Sequence, residues 1–189
     1  MISLRFAAVK DAHALLEIYR PYVESTSISF ETEVPSLEEF EGRIREYSAF
    51  YPYLVAEEDG KILGYAYAHA FHERRAYQWT VETSIYMAEA TRGKGIGKLL
   101  YGALLPLLKA QGIQNACAVV TIPNEPSLAF HRAMGFQTGN LLPDFGYKSG
   151  AWRGVAYLYR ALGSHEAAPQ APVSIRDLPP ETLKNLLKT

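Results

Sequence analysis

The sequence predicts one α/β domain of α+β character, a mixed central sheet flanked by helices. Three observations predict it. Asp59-Gly60 sits between apolar runs at 53–58 and 61–70, the signature of a β-hairpin. Across 79–108 a strand, a glycine-rich loop and a helix follow one another. The apolar run at 116–121 comes next, as a parallel strand reached through that helix would.

The elements are expected in this order. Ile2, Leu4 and Phe6 alternate with Ser3 and Arg5, which makes a half-buried first strand. Asp11 is the expected N-cap of a helix burying Leu15, Leu16, Ile18 and Tyr19, ended or bent by Pro21. Residues 25–35 read as an irregular loop. Ser36 with Glu39 forms a capping box for a second helix carrying Phe40 and Ile44 inward. After the hairpin, 71–77 makes a basic, aromatic loop, and 83–87 a strand. The next helix opens at 92–97, is expected to kink at Pro106, and stops at Gly112. Residues 128–134 suit a short helix that Ser127 caps, stopped by Gly135. Closing strands are expected at 137–140 and 155–159, joined by a glycine- and aromatic-rich loop over 145–154. The domain is taken as 1–162. Residues 163–189 form a Pro/Ala-rich linker and a short tail, either docked or free.

Composition bounds the function. The chain has 189 residues, 48% hydrophobic and 21% charged, which supports a full-sized core. A net charge of −1 gives no case for nucleic acid or an anionic membrane as partner. The single Cys117 excludes an internal disulfide and a multi-cysteine zinc site, and its apolar neighbours make it a structural thiol. No apolar run approaches the roughly 18 residues of a membrane span, and the N-terminus lacks a signal-peptide pattern, so a cytoplasmic location is expected. His13, His69 and His165 share no ligand spacing and no paired-carboxylate pattern occurs, so no metal is expected.

The stretch from Arg92 to Lys98 carries the chemistry. Gly93, Gly95 and Gly97 let the backbone approach a ligand, and the unpaired N–H groups of the helix N-terminus favour a phosphate. Arg92 and Lys94 add full charges, with Arg92 suited to a bidentate grip.

Two signatures resemble the GNAT acetyltransferase superfamily: Arg92-x-x-Gly95-x-Gly97, like its acyl-CoA pyrophosphate loop, and Phe130-His131-Arg132-Ala133-Met134-Gly135-Phe136, like its second motif. In that second motif a tyrosine often precedes the Gly-Phe pair by four residues, where His131 stands here. Within the superfamily the chain is similar to phosphinothricin N-acetyltransferases and methionine sulfoximine/sulfone acetyltransferases. The residues carrying this are Ser29-Phe30-Glu31-Thr32-Glu33, Ala76-Tyr77-x-Trp79-Thr80-Val81-Glu82, Pro123-Asn124-x-Pro126-Ser127 and Gly146-Tyr147-Lys148-x-Gly150-x-Trp152.

The resemblance implies the GNAT N-acyltransferase fold, acetyl-CoA as co-substrate, and a homodimer. It assigns the CoA diphosphate to backbone amides of Gly93, Lys94, Gly95, Ile96, Gly97 and Lys98, and the thioester to Ile85, Tyr86 and Met87. Asn124, with Ser127, is the expected pantetheine contact. An amino acid's ammonium must lose a proton before it attacks, and Glu82 is the candidate general base, with burial beside Trp79 expected to support it. His131 is the candidate acid for the departing thiolate, since histidine titrates near neutrality. Phe30, Arg74 and Tyr77 are implied as acceptor contacts, and His72 and Arg75 add cations suited to a carboxylate or phosphinate. Phosphinothricin-resistance enzymes tend to carry lysine at the position of His72.

The expected function is transfer of acetyl to the α-amino group of a small amino acid or analogue, by direct attack and without a nucleophile elbow. Acetylation of protein N-termini or other small amines is the alternative within enzymes, and a non-catalytic CoA-binding regulatory module the alternative outside them.

Overall fold

A computed structural model describes residues 1–166 and 168–188. The strands are β1 (Ser3–Phe6), β2 (Tyr53–Glu58), β3 (Lys61–Ala70), β4 (Thr80–Met87), β5 (Asn115–Ile122), β6 (Gln137–Lys148) and β7 (Ala151–Ala161). The helices are α1 (Ala12–Glu24), α2 (Leu37–Tyr47), α3 (Ile96–Ala110), α4 (Glu125–Ala133) and α5 (Pro180–Leu187). The strands form one sheet in the order β1-β2-β3-β4-β5-β7-β6. Only β4 and β5 run parallel; the other neighbours are antiparallel.

Local chemistry sets most boundaries. Asp59 and Gly60 both take positive φ, 50° and 77°, as the tight β2–β3 turn requires. Ser36 Oγ accepts from Glu39 N at 3.2 Å and Glu39 Oε2 accepts from Ser36 N at 2.7 Å, completing the capping box of α2. At the end of α3, Gly112 takes φ 91° and Ile113 N reaches back to Leu108 O at 3.1 Å.

Several expectations are corrected. Asp11 stands at the N-cap position of α1 as expected, but its side chain makes no cap bond to the helix: a 3-10 turn precedes the helix, and the carboxylate accepts from Ala8 N at 2.8 Å and pairs with Arg5. Pro21 does not end α1, which runs on to Glu24 and closes with Ser25 N donating to Pro21 O. Asn124, not Ser127, caps α4, its Oδ1 accepting from Ser127 N at 3.3 Å. The expected 145–154 loop is the end of a long β6–β7 hairpin, with Tyr147 opposite Trp152 and the turn at Ser149 and Gly150. Glycines and an internal proline hid that strand.

The sheet buries one face from β2 across to β7 and the other over β2 and β3. One face carries Leu54, Ala66, Val81, Ala118 and Leu158 against α3. The other carries Tyr53, Val55 and Tyr65 against α1 and α2. The tail is docked. Ile175 and Leu178 enter the α3 core, Gln111 Nε2 donates to Val173 O at 2.8 Å, and Trp79 Nε1 donates to Gln170 O at 2.8 Å.

Candidate active site

β4 and β5 pair only over 80–82 and 115–117, whereas β4 stays paired with β3 through Met87. Past the Glu82–Cys117 pair the strands part, and a narrow groove opens. Thr83, Ile85, Tyr86, Asn124, Ser127 and His131 line it. Backbone direction alternates along a strand, so the groups facing the gap can be read off. Trp79 O accepts from Asn115 N at 3.0 Å, placing the odd-numbered residues toward β5, and Thr80 O accepts from Phe71 N at 3.3 Å, placing the even ones toward β3. Of the three expected thioester contacts, only Ile85 therefore turns a free edge into the groove. Tyr86 faces β3. Met87 N donates to Tyr22 Oη at 3.1 Å and Met87 O accepts from the same hydroxyl at 2.7 Å.

The glycine loop lies at the open end of β4. Gly95, the residue before α3, takes the left-handed φ of 81°, and an added Cβ there would meet nothing within 4 Å, so the backbone faces open space. The first intrahelical bond is Lys98 N to Gly95 O at 3.0 Å, which leaves the N–H groups of Ile96 and Gly97 for a guest. Ile96 keeps its side chain in the core, while Arg92, Gly93, Lys94 and Lys98 are exposed. The Arg92 guanidinium sits 4.9 Å over the Tyr22 ring, an attractive cation–π placement. Gly97 is packed closely: a Cβ would come within 3.1 Å of Phe130.

Glu82 lies within β4, not before it, in register with His69 on β3 and Cys117 on β5. Its side chain is half-buried, with Oε1 4.0 Å from His69 Nε2. His69 stacks on Tyr47, ring centroids 5.1 Å apart, and its Nδ1 bonds Ala70 O at 3.0 Å. Trp79, expected beside Glu82, directs its indole N–H to the tail instead. Burial and then the Glu82 charge push the Cys117 thiol up to about 11, which keeps it protonated and unreactive.

His131 is buried and both ring nitrogens are engaged: Nδ1 donates to Ser127 O at 2.8 Å, and Nε2 lies 3.2 Å from Tyr101 Oη. Burial lowers its pKa, which favours the neutral imidazole in the folded chain. Asn124 spends Oδ1 on its cap, which leaves Nδ2 for the groove.

The acceptor residues do not share one cavity. His72, Arg74 and Tyr77 line a cavity of about 750 Å³ with Tyr47 and His69, beside β3. Arg75 lies in the adjacent 3-10 turn and does not line it. Phe30 lies against Gly146 of β6, beyond the far end of β5. Loop 71–79 enters β4 at its start, while loop 25–35 crosses β5 near its end, where Thr121 Oγ1 donates to Ile28 O at 3.2 Å. Arg132 pairs with Glu125 on the surface. Sequence reasoning missed Tyr22, Tyr101 and His69 as site neighbours, since each reads as ordinary core or strand. Among the described residues no cluster of His, Cys, Asp or Glu suits a metal ion, and no helix is long and apolar enough to cross a membrane.

A sheet split between two parallel strands, with a glycine loop opening a helix at the split, defines an acyl-CoA N-acyltransferase fold. Residues 4–154 match the acetyltransferase (GNAT) domain family. Phosphinothricin N-acetyltransferase of Streptomyces viridochromogenes is 35% identical over 172 residues, covering 91% of this chain and 93% of that one. The L-methionine sulfoximine/L-methionine sulfone acetyltransferase of Pseudomonas aeruginosa is 34% identical, covering 88% and 98%. A GNAT superfamily phosphinothricin acetyltransferase from Sinorhizobium meliloti, solved with acetyl-CoA, superposes with a TM-score of 0.86 at 37% identity, covering 91% and 95%. The chain belongs to the GNAT acetyltransferase family and is an N-acetyltransferase.

Proposed function

We propose that this enzyme transfers the acetyl group of acetyl-CoA to the α-amino group of a small amino acid or analogue, by direct attack. Methionine sulfoximine, methionine sulfone and phosphinothricin are the acceptors. The parting of β4 from β5 just past Glu82 carries this reading: Glu82 is the last paired residue of β4 before the fork, and Ile85 beyond it turns a backbone edge to the groove, which Glu82 itself does not line. The chain's residues fit the donor. The open backbone at Gly95 and the N–H groups of Ile96 and Gly97 suit a diphosphate, and Asn124 Nδ2 and the Ile85 edge suit a linear amide chain. When bound, acetyl-CoA supplies an activated acyl carbonyl. Ile85 N–H donates where negative charge develops on that carbonyl oxygen. Glu82 takes one proton of the acceptor ammonium, directly or through a water; the amine then forms the C–N bond as the C–S bond breaks, and the nitrogen's remaining extra proton passes to the departing thiolate, which leaves as CoA thiol. His131 holds Ser127 and the start of α4 as a neutral imidazole, a positioning role. Arg74 and His72 attract the acceptor's anionic groups toward the neighbouring cavity. A second copy of the chain covers the exposed aromatic hairpin to form a homodimer.

Release of CoA thiol, followed with a panel of phosphinothricin, methionine sulfone, methionine sulfoximine, ordinary amino acids and short peptides, tests the reading. Turnover on the analogues, reduced about 100-fold or more in Glu82→Gln, is expected. Turnover on peptides alone sinks the acceptor class, and full activity of Glu82→Gln sinks the base.

A further inference from the structure

Lys148 is a charged side chain that the chemistry above does not use, and it is buried, 6% exposed. Such a residue is rarely interior unless its donors are satisfied. Its Nζ donates to Val23 O and to Ser29 O, each at 2.7 Å. Among the described residues no carboxylate pairs with it; Glu31, which acts on it through space, is held by Arg43 at 2.6 Å. Burial lowers its pKa, opposed by Glu31.

The two carbonyls join different parts of the molecule. Val23 O is among the last carbonyls of α1, at the negative end of that helix, where a cation is favoured. Ser29 O belongs to loop 25–35. That loop forms a wall of the groove: Ile28 lines it beside Tyr86, Asn124 and His131. Ser29 Oγ meets Tyr19 Oη at 2.6 Å, and the Tyr19 ring stands edge-on to Tyr86, centroids 4.8 Å apart. One residue further, Phe30 packs on Gly146, two positions before Lys148, where a Cβ would lie 2.3 Å from the ring. The end of the β6–β7 hairpin thus grips the loop twice, through the ammonium and through the glycine seat.

We propose that Lys148 is a positioning residue for the acceptor: its ammonium ties the end of α1 and loop 25–35 to the β6–β7 hairpin, and so fixes Ile28 in the wall of the groove and Phe30 on the hairpin outside it, where the amine approaches the donor. This rests on the acetyltransferase reading above. The ammonium touches no reacting atom. It fixes the loop that lines the groove at Ile28, while the diphosphate seat at Gly95 lies on another element.

Hydrogen exchange of the amides at 26–31, together with acetyl-CoA affinity, kcat and acceptor KM, tests this in Lys148→Met and Lys148→Arg. In Lys148→Met, exchange at 26–31 is expected to quicken at least tenfold and acceptor KM to rise at least tenfold, with acetyl-CoA affinity within about twofold of wild type. Lys148→Arg, which keeps the charge and the donors, is expected to restore most of both. Should Lys148→Met fail to fold, Lys148→Gln carries the same comparison. Gly146→Ala supplies an independent displacement of Phe30: acceptor KM rises while exchange at 26–29 stays slow. Unchanged exchange in Lys148→Met overturns the tether. Faster exchange with an unchanged acceptor KM, or an equal loss of acetyl-CoA affinity, overturns the acceptor role. If the wild type turns over no acceptor in the panel, the acceptor reading fails separately. Exchange with acetyl-CoA bound then decides: protection of 26–31 in the wild type that Lys148→Met loses supports the tether, and protection equal in both overturns it.

Discussion

His131 shows how burial rewrites a residue that sequence presents as a candidate acid. It binds a proton less readily in the folded chain than in the unfolded one. Above the unfolded value of about 6.5 both states are neutral and the group is silent. As pH falls below that value the unfolded chain gains the proton first, so stability drops until the folded ring titrates too. Between pH 6.5 and 5, the melting temperature of the wild type should fall more steeply than that of His131→Gln, followed by circular dichroism. Equal slopes would clear His131 of any part in acid instability. The motif spacing made this position legible; its protonation state was not, because it depends on burial in the folded chain, among neighbours such as Tyr101, thirty positions away along the chain and 3.2 Å away in space. Lys148 was opaque for the same reason. A lysine at the end of a glycine- and aromatic-rich run is free to face a phosphate or a substrate as far as sequence tells, and its two carbonyl partners lie more than a hundred residues upstream.

Elements were legible where a local rule fixes them. Asp59-Gly60 set the β2–β3 hairpin, Ser36 with Glu39 set the start of α2, and Gly112 set the end of α3. They were opaque where tertiary partners override a local rule. α1 continues past Pro21 because its later residues Tyr22 and Val23 are buried against the sheet. β6 tolerates Pro143, Asp144 and two glycines because it is the outermost strand of the sheet and its register slips between Leu142 and Gly146. The tail is the clearest case. Its composition left docking undecided, yet Leu178 is 7% exposed within the α3 core. Leu178→Ala should cost about 3 kcal/mol of stability, read as a lowered urea midpoint. A midpoint unchanged within error would mean the tail adds nothing to the core.

At the scale of the molecule, one surface stands out. The β6–β7 hairpin leaves Leu141 59%, Phe145 57%, Tyr147 60% and Trp152 60% exposed, more large apolar side chain than an isolated domain gains by showing to water. Light scattering at micromolar concentration should give twice the mass of 21.1 kDa, and Tyr147→Ser with Trp152→Ser should shift it toward one. A wild-type mass of one chain would remove the dimer. The class of fold was legible from the strand, glycine loop and helix alone. The division of the expected acceptor residues between a cavity beside β3 and a loop over β5 was not, because sequence order says nothing about which end of a strand a loop crosses.

The parted strands also have a meaning for the sheet itself. Sheets normally confine their unpaired edges to the margins, where charge, proline or bulges keep other chains away. Here an edge lies in the middle, between β4 and β5, recessed behind α1 and α4. A guest that carries amides in a line completes the ladder, and by mass action a guest at a hundred times its dissociation constant adds about 2.7 kcal/mol to the folded state. The same gap that receives the donor therefore leaves this fold at its least stable when the gap is empty.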